Sequence, residues 1–112
     1  MKIAVPVTEG RLCPHFGHCE LFAFFEIAGD GRQVLSTTTV NAPEHVPGLL
    51  PKWLHDQGAT VVLAGGMGSR AQALFQQAGV QVITGVESAP AADVVKAYMD
   101  GTLKTGANVC DH

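Results

Sequence analysis

Thr60-Val61-Val62-Leu63-Ala64 runs through successive apolar residues with none of the polar alternation that a half-exposed strand would show. Such a segment reads as a strand covered on both faces. It breaks at Gly65-Gly66-Met67-Gly68, after which Ser69-Arg70-Ala71-Gln72 has the form of a capping box, with Ser69 as N-cap and Gln72 three residues on, opening a helix through Gln77 that Gly79 ends. A doubly covered strand leading directly into a helix commits the chain to an α/β fold, because only helices on both sides give such a strand its cover.

The rest of the chain agrees. Ile3 to Val7 and the aromatic-rich Leu21 to Ile27 read as buried strands. Gly29-Asp30-Gly31 is a turn signal. Gln33 to Val40 is β-branched with mixed polarity, as suits an edge strand antiparallel to its predecessor. A helix is predicted over Leu49 to Gln57, with Leu50, Trp53 and Leu54 at helical spacing and Gly58 as its stop. Val80 to Thr84 is a further strand. Pro90 to Met99 is a final helix with Val94, Val95 and Tyr98 on one face. The order predicts a mixed five-stranded sheet with helices packed on it and right-handed final crossovers. At 112 residues the chain is expected to form a single domain, residues 1–112, with an α/β core over 1–100 and a flexible Cys/His-bearing tail over 101–112.

A hydrophobic content of 46% with 15% charged residues is that of a globular protein. The net charge of -3 offers no attraction to nucleic acid or to an anionic membrane. No apolar run approaches the roughly 18 residues that a membrane span requires, and no secretory leader pattern precedes Ile3. A cytoplasmic, reducing location is therefore expected, where cysteines serve as ligands or reactive thiols more often than as a disulfide framework.

The chain has three cysteines, and each stands beside a histidine: Cys13-Pro14-His15-Phe16-Gly17-His18-Cys19 near the start and Cys110-Asp111-His112 at the end. Thiolate and imidazole are the side chains that bind soft and borderline metals well, so the two clusters read as one split metal site made of Cys13, His15, His18, Cys19, Cys110 and His112. If the first three strands form a meander and the later ones run parallel to the first, the Cys13 to Cys19 loop, His45 and the glycine turn share the carboxyl edge of the sheet, where ligands bind in open α/β sheets. From the last helix, about eleven residues of tail can span ~35 Å, enough to return to that edge.

Other readings stand beside this one. Cys13 or Cys19 alone would serve as a small buried hydrophobe. The spacing lacks the paired C-x-x-C knuckles of a structural zinc ribbon. His45, before Pro47-Gly48, reads equally as a ligand or as the residue leading into the helix, and His55 is assigned to a helix surface. The turn of Gly65, Gly66, Met67 and Gly68 fits neither the Walker nor the dinucleotide pattern; its amides could cradle an anionic cluster, or its glycines could serve only close packing.

Leu12 to Cys19, Ala64 to Gly68, His45 to Leu54 and Thr105 to His112 together resemble the marker segments of the dinitrogenase iron–molybdenum cofactor biosynthesis family, in its cysteine-bearing subset. The resemblance implies a ribonuclease H-like three-layer α/β fold and a nitrogenase accessory-like role in binding, carrying or delivering a metal–sulfur cluster, of iron–sulfur or molybdenum–iron–sulfur type, or its precursor. Cluster donor and acceptor proteins would be its partners, with a homo-oligomer allowed. No catalytic constellation is expected: Ile3 to Val7 and Thr60 to Ala64 lack the carboxylates of a two-metal nuclease. The alternatives are a thiol redox protein using Cys13 and Cys19, near which Arg11 is the one obvious cation, and a structural zinc-binding interaction module.

Overall fold

The computed structural model describes residues 1–14, 16, 19–43 and 48–106. His15, His18, His45, Cys110 and His112 lie outside the described residues. The elements in chain order are β1 (Lys2–Thr8), β2 (Arg11–Leu12), β3 (Leu21–Ile27), β4 (Val34–Asn41), α1 (Leu49–Asp56), β5 (Val61–Leu63), α2 (Ser69–Ala78), β6 (Gln81–Ile83) and α3 (Ala91–Asp100).

The sheet is mixed, in the order β4-β3-β1-β5-β6 with β2 added on β1. β1 pairs antiparallel with β3, from Lys2 opposite Glu26 to Val7 opposite Leu21, and β3 pairs antiparallel with β4. β5 lies parallel to β1, with Ile3 opposite Val61, and β6 parallel to β5. The predicted meander and its parallel extension are both present, so β1, β4, β5 and β6 all end at one edge.

Period-two alternation assigns the two faces. Ile3, Val5, Val7, Ala23, Phe25, Val61 and Leu63 form one core with Val94 and Val95 of α3. Ala4, Phe22, Phe24 and Val62 form the other with Leu54 of α1 and Phe75 of α2. The result is three layers, α3 below the sheet and α1 with α2 above it. Outside this cover lies β4, whose Val34 and Leu35 are 41% and 62% exposed. Its Ser-Thr-Thr-Thr centre is what an edge strand without a roof can tolerate.

Two local readings are corrected. The sheet gains the short strand β2, which two residues between Gly10 and Cys13 could not announce. β5 stops near the level of Ala4, and β2 takes its place beside the rest of β1, with Val7 opposite Leu12 and Thr8 opposite Arg11. Glu9 and Gly10 both have positive φ, 56° and 78°, as a two-residue hairpin turn requires. The N-cap of α2 is Gly68, in extended conformation, and Ser69 is the first helical residue. Gln72 gives its side-chain amide to the carbonyl of Met67 at 3.0 Å, so the Ser69–Gln72 capping box does not form. Within the described part of the segment expected as a tail, Thr105 forms an antiparallel bridge with Val86.

Phe22 is fully buried and meets the rings of Phe16 and Trp53 at 5.9 and 5.6 Å. Phe22→Ala should cost about 3–5 kcal/mol in urea denaturation. Leu35→Lys on the open strand should stay within about 0.5 kcal/mol of the parent.

Candidate functional site

The first Cys/His loop is fastened at both ends to β1. The Cys13 amide donates to the Pro6 carbonyl at 2.8 Å, and the Glu20 amide donates to the Val7 carbonyl at 3.1 Å. Adjacent carbonyls of a strand point to opposite sides, so the loop straddles the end of β1, with Cys13 on the β5 side and Glu20 on the β3 side. Cys13 is buried and Cys19 half-buried, the latter against the α1 and α2 core.

Between the cysteines, Phe16 pins the loop. Its ring stands edge-on to Phe22 and Phe75, at 5.9 and 5.6 Å between centroids. Its amide donates to the Gly66 carbonyl at 2.9 Å. Sequence reasoning took Phe16 as part of a family marker and not as an anchor; one aromatic in a run of Cys, His, Pro and Gly was the available signal.

The glycine turn is the other half of this junction. Gly66 gives its N–H to the Pro14 carbonyl at 2.7 Å. A Cβ on Gly65 would stand 2.9 Å from the Pro14 oxygen and 3.2 Å from its Cα, so that glycine permits close approach of two backbones. The packing reading of these two glycines thus describes their geometry, although the packing is loop on loop rather than helix on strand. Met67 is 1% exposed and belongs to the core under α2. Gly68 accepts the Gln72 amide at 3.2 Å as the first turn of α2 closes.

The ladder continues outward. The Gly85 amide donates to the Gly65 carbonyl and the Gly106 amide to the Gly85 carbonyl, each at 2.6 Å. The chain after β6 also holds β2: Leu12 donates its amide to Ala89 at 2.9 Å, Ser88 donates its hydroxyl to Leu12 at 2.7 Å, and Arg11 gives its guanidinium to the Ser88 carbonyl at 3.1 Å. Gly85 and Gly106 were not singled out in the sequence. The signal for Gly85 was its position directly after a strand.

The structure therefore brings Cys13, Cys19, Gly65, Gly66 and the tail as far as Gly106 to the carboxyl edge, while the remaining candidates lie outside the described residues. Among the described residues no group of three or more His, Cys, Asp or Glu side chains is gathered as for a metal ion. Gly65→Ala would force Pro14 away, since both contacting atoms are backbone. It should cost about 1–3 kcal/mol and speed labelling of the buried Cys13 by a thiol reagent; unchanged labelling would mean that this approach does not hold the loop.

Known proteins bear on the site through the whole chain. The model of the family described as "Dinitrogenase iron-molybdenum cofactor" matches residues 1–101. An uncharacterised protein of Methanocaldococcus jannaschii is 27% identical over 107 residues, which are 93% of this chain and 90% of that one. The crystal structure of PH0822 superposes with a TM-score of 0.88 at 34% identity, over 96% of each chain. The apo form of the orange protein from Desulfovibrio gigas superposes with a TM-score of 0.72 at 25% identity, over 96% of this chain and 93% of that one. With its β1-centred mixed sheet, its loop pinned by Phe16 and a family match running from the first strand to the end of the last helix, this chain belongs to the dinitrogenase iron–molybdenum cofactor family.

Proposed function

We propose that the protein binds a metal–sulfur cluster, of iron–sulfur or molybdenum-containing type, or its precursor, and carries it between a donor and an acceptor protein, without catalysing a reaction itself. The observation that carries this reading is the set of backbone hydrogen bonds from Pro14 through Gly66, Gly65 and Gly85 to Gly106, which brings Cys13, Cys19 and the chain as far as Gly106 to the same edge. Membership of a family related to the iron–molybdenum cofactor supports it. So does likeness to a protein named for its colour and solved in an apo form.

Thiolates suit such cargo because they bond directly to iron, and thiolate and imidazole together suit soft and borderline metals. The fold suits transport because its cores do not depend on the cargo. Phe22, Phe75, Ile3, Leu63 and Val95 are buried in two apolar clusters on the faces of the sheet, whereas a structural zinc module draws its folding free energy from the metal. No helix among the described residues is long and apolar enough to cross a membrane. A cytoplasmic site of action accords with thiol ligands kept reduced.

Anaerobic purification followed by metal and acid-labile sulfide analysis tests the reading. A coloured protein with sulfide and iron or molybdenum is expected; colourless protein with one zinc per chain would establish the module instead, and reversible Cys13–Cys19 oxidation without metal the redox protein. Deleting residues 108–112 should weaken metal binding at least about tenfold, ~1.4 kcal/mol. Circular dichroism and thermal melts should show the protein folded with and without chelator, metal only raising the midpoint as any ligand of the folded state does, and cooperative unfolding on metal removal would sink the carrier reading.

A further inference from the structure

β4 closes one side of the sheet and β6 the other, and the two edges are built differently. β6 is three residues long and half-buried at Val82 and Ile83, a short edge that offers a second chain little to pair with. β4 is eight residues long, exposed from Val34 to Thr39, and carries neither charge nor proline. The direction of its peptide groups is fixed through its neighbour. Ile27 donates its amide to the Met1 carbonyl at 2.7 Å and accepts from the Met1 amino group at 3.4 Å, so the odd-numbered residues of β3 bond toward β1. The even-numbered ones bond toward β4, and just before β3 the Glu20 carbonyl accepts the Ala42 amide at 3.0 Å. Phe22 pairs with Val40, Phe24 with Thr38 and Glu26 with Ser36, so residues 36, 38 and 40 turn their N–H and C=O groups toward β3. Thr37, Thr39 and Asn41 turn theirs to the open side of the sheet.

We propose that β4 is a homodimerisation edge, on which the β4 strand of a second copy pairs antiparallel and continues the sheet through both molecules. The occupant is a second copy because the edge has no guard against itself. Strands that stay single at a sheet edge carry a lysine, a proline, a bulge or a cover. From Ser36 to Asn41 there is no charge and no proline, the pairing with β3 is regular, and every side chain but that of the half-buried Val40 is exposed. The net charge of -3 sets copies of the chain against one another, and β4 is a stretch along which two of them meet with no charge on either side.

The hydrogen-bond pattern restricts the register. Outward residues pair only with outward residues, so a two-fold axis normal to the sheet passes through a residue and not between two. Placed at Thr38, the axis sets Thr37 opposite Thr39 of the second copy and Ser36 opposite its Val40. This register uses the regular stretch and leaves aside the bulge at Leu35, where Ile27 pairs with Val34 and Glu26 with Ser36. Threonine pairs are favourable neighbours across strands. Because the copies run antiparallel, their carboxyl edges and Cys13–Cys19 loops lie at opposite ends of the joined sheet. The proposal therefore does not rest on the cluster reading, and pairing needs no metal. An edge of eight residues is about 27 Å long and ~10 Å deep. That covers less than the roughly 800 Å² per partner of a stable complex, so the dimer dissociates on dilution and each copy keeps its fold alone.

The test uses the full-length protein with chelator and dithiothreitol present, so that neither metal nor a disulfide can join two copies. Sedimentation equilibrium between about 10 µM and about 1 mM covers the affinities open to a small interface. Monomer at the low end and dimer at the high end are expected. Amide hydrogen exchange followed by NMR locates the contact: from the dilute to the concentrated sample the Thr37 and Thr39 amides should slow at least about threefold, and the amides of β6 should not change. Thr38→Lys sets two like charges across the axis, and Thr39→Pro removes an outward N–H without touching the bonds to β3. Each should remain monomeric at the top of the range, and Thr38→Lys serves if Thr39→Pro does not fold. Gln81→Lys, on the exposed first residue of β6, makes the same change in net charge and should dimerise as the parent does. A parent chain that stays monomeric throughout would leave the edge to a strand of other sequence and overturn the proposal. So would a dimer whose Thr37 and Thr39 amides exchange at the dilute rate, a dimer that survives both Thr38→Lys and Thr39→Pro, or equal loss in Gln81→Lys.

Discussion

β1 has no side chain to give to water between Ile3 and Val7, and the rest of the molecule follows from burying it on both sides. Ile3, Val5 and Val7 need a helix below and Ala4 needs one above, so the chain must cross the sheet rather than fold as a simple meander. Crossing connections make β5 and β6 run parallel to β1, and parallel strands end at the same edge. The meeting of the Cys13–Cys19 loop, the glycine turn and the Gly85 segment is thus a product of hydrophobic cover, settled before any ligand chemistry is considered.

The same interaction explains which parts could be read from residues alone. Runs such as Val61 to Leu63 and Leu21 to Ile27 signal their state by continuity, because all their residues but the half-buried Leu21 and Glu26 are buried on one face or the other. β2 left no such trace. Its two residues are ordered by what they pair with, β1 on one side and Ala89 on the other, and pairing with a distant segment is invisible in a local pattern. The Ser69 cap failed for a related reason: Gly68 already occupies the extended position that a cap requires, and Gln72 finds a carbonyl nearer than the amide expected of it.

For the candidate site the sequence named the chemistry and missed the carpentry. Cys13 and Cys19 stood out because two thiols and two imidazoles in seven residues are improbable as core. Pro14, Gly65, Gly66, Gly85 and Gly106 act through main-chain N–H and C=O groups, which every residue carries and which therefore leave no compositional mark. Only the need for a missing Cβ, at Gly65 and Gly85, shows that these positions differ from ordinary loop glycines. Phe16 lies between the two cases, a side chain whose partners are Phe22, from the strand that follows the loop, and Phe75, from a helix far away in sequence.

That the rim is framed in main chain separates scaffold from reagent. The hydrogen bonds that join Pro14, Gly65, Gly66, Gly85 and Gly106 run between peptide groups and use no thiol and no imidazole. A rim arranged in this way keeps its dimensions through hydrogen bonds between peptide groups, which every residue carries, and not through the identity of its side chains.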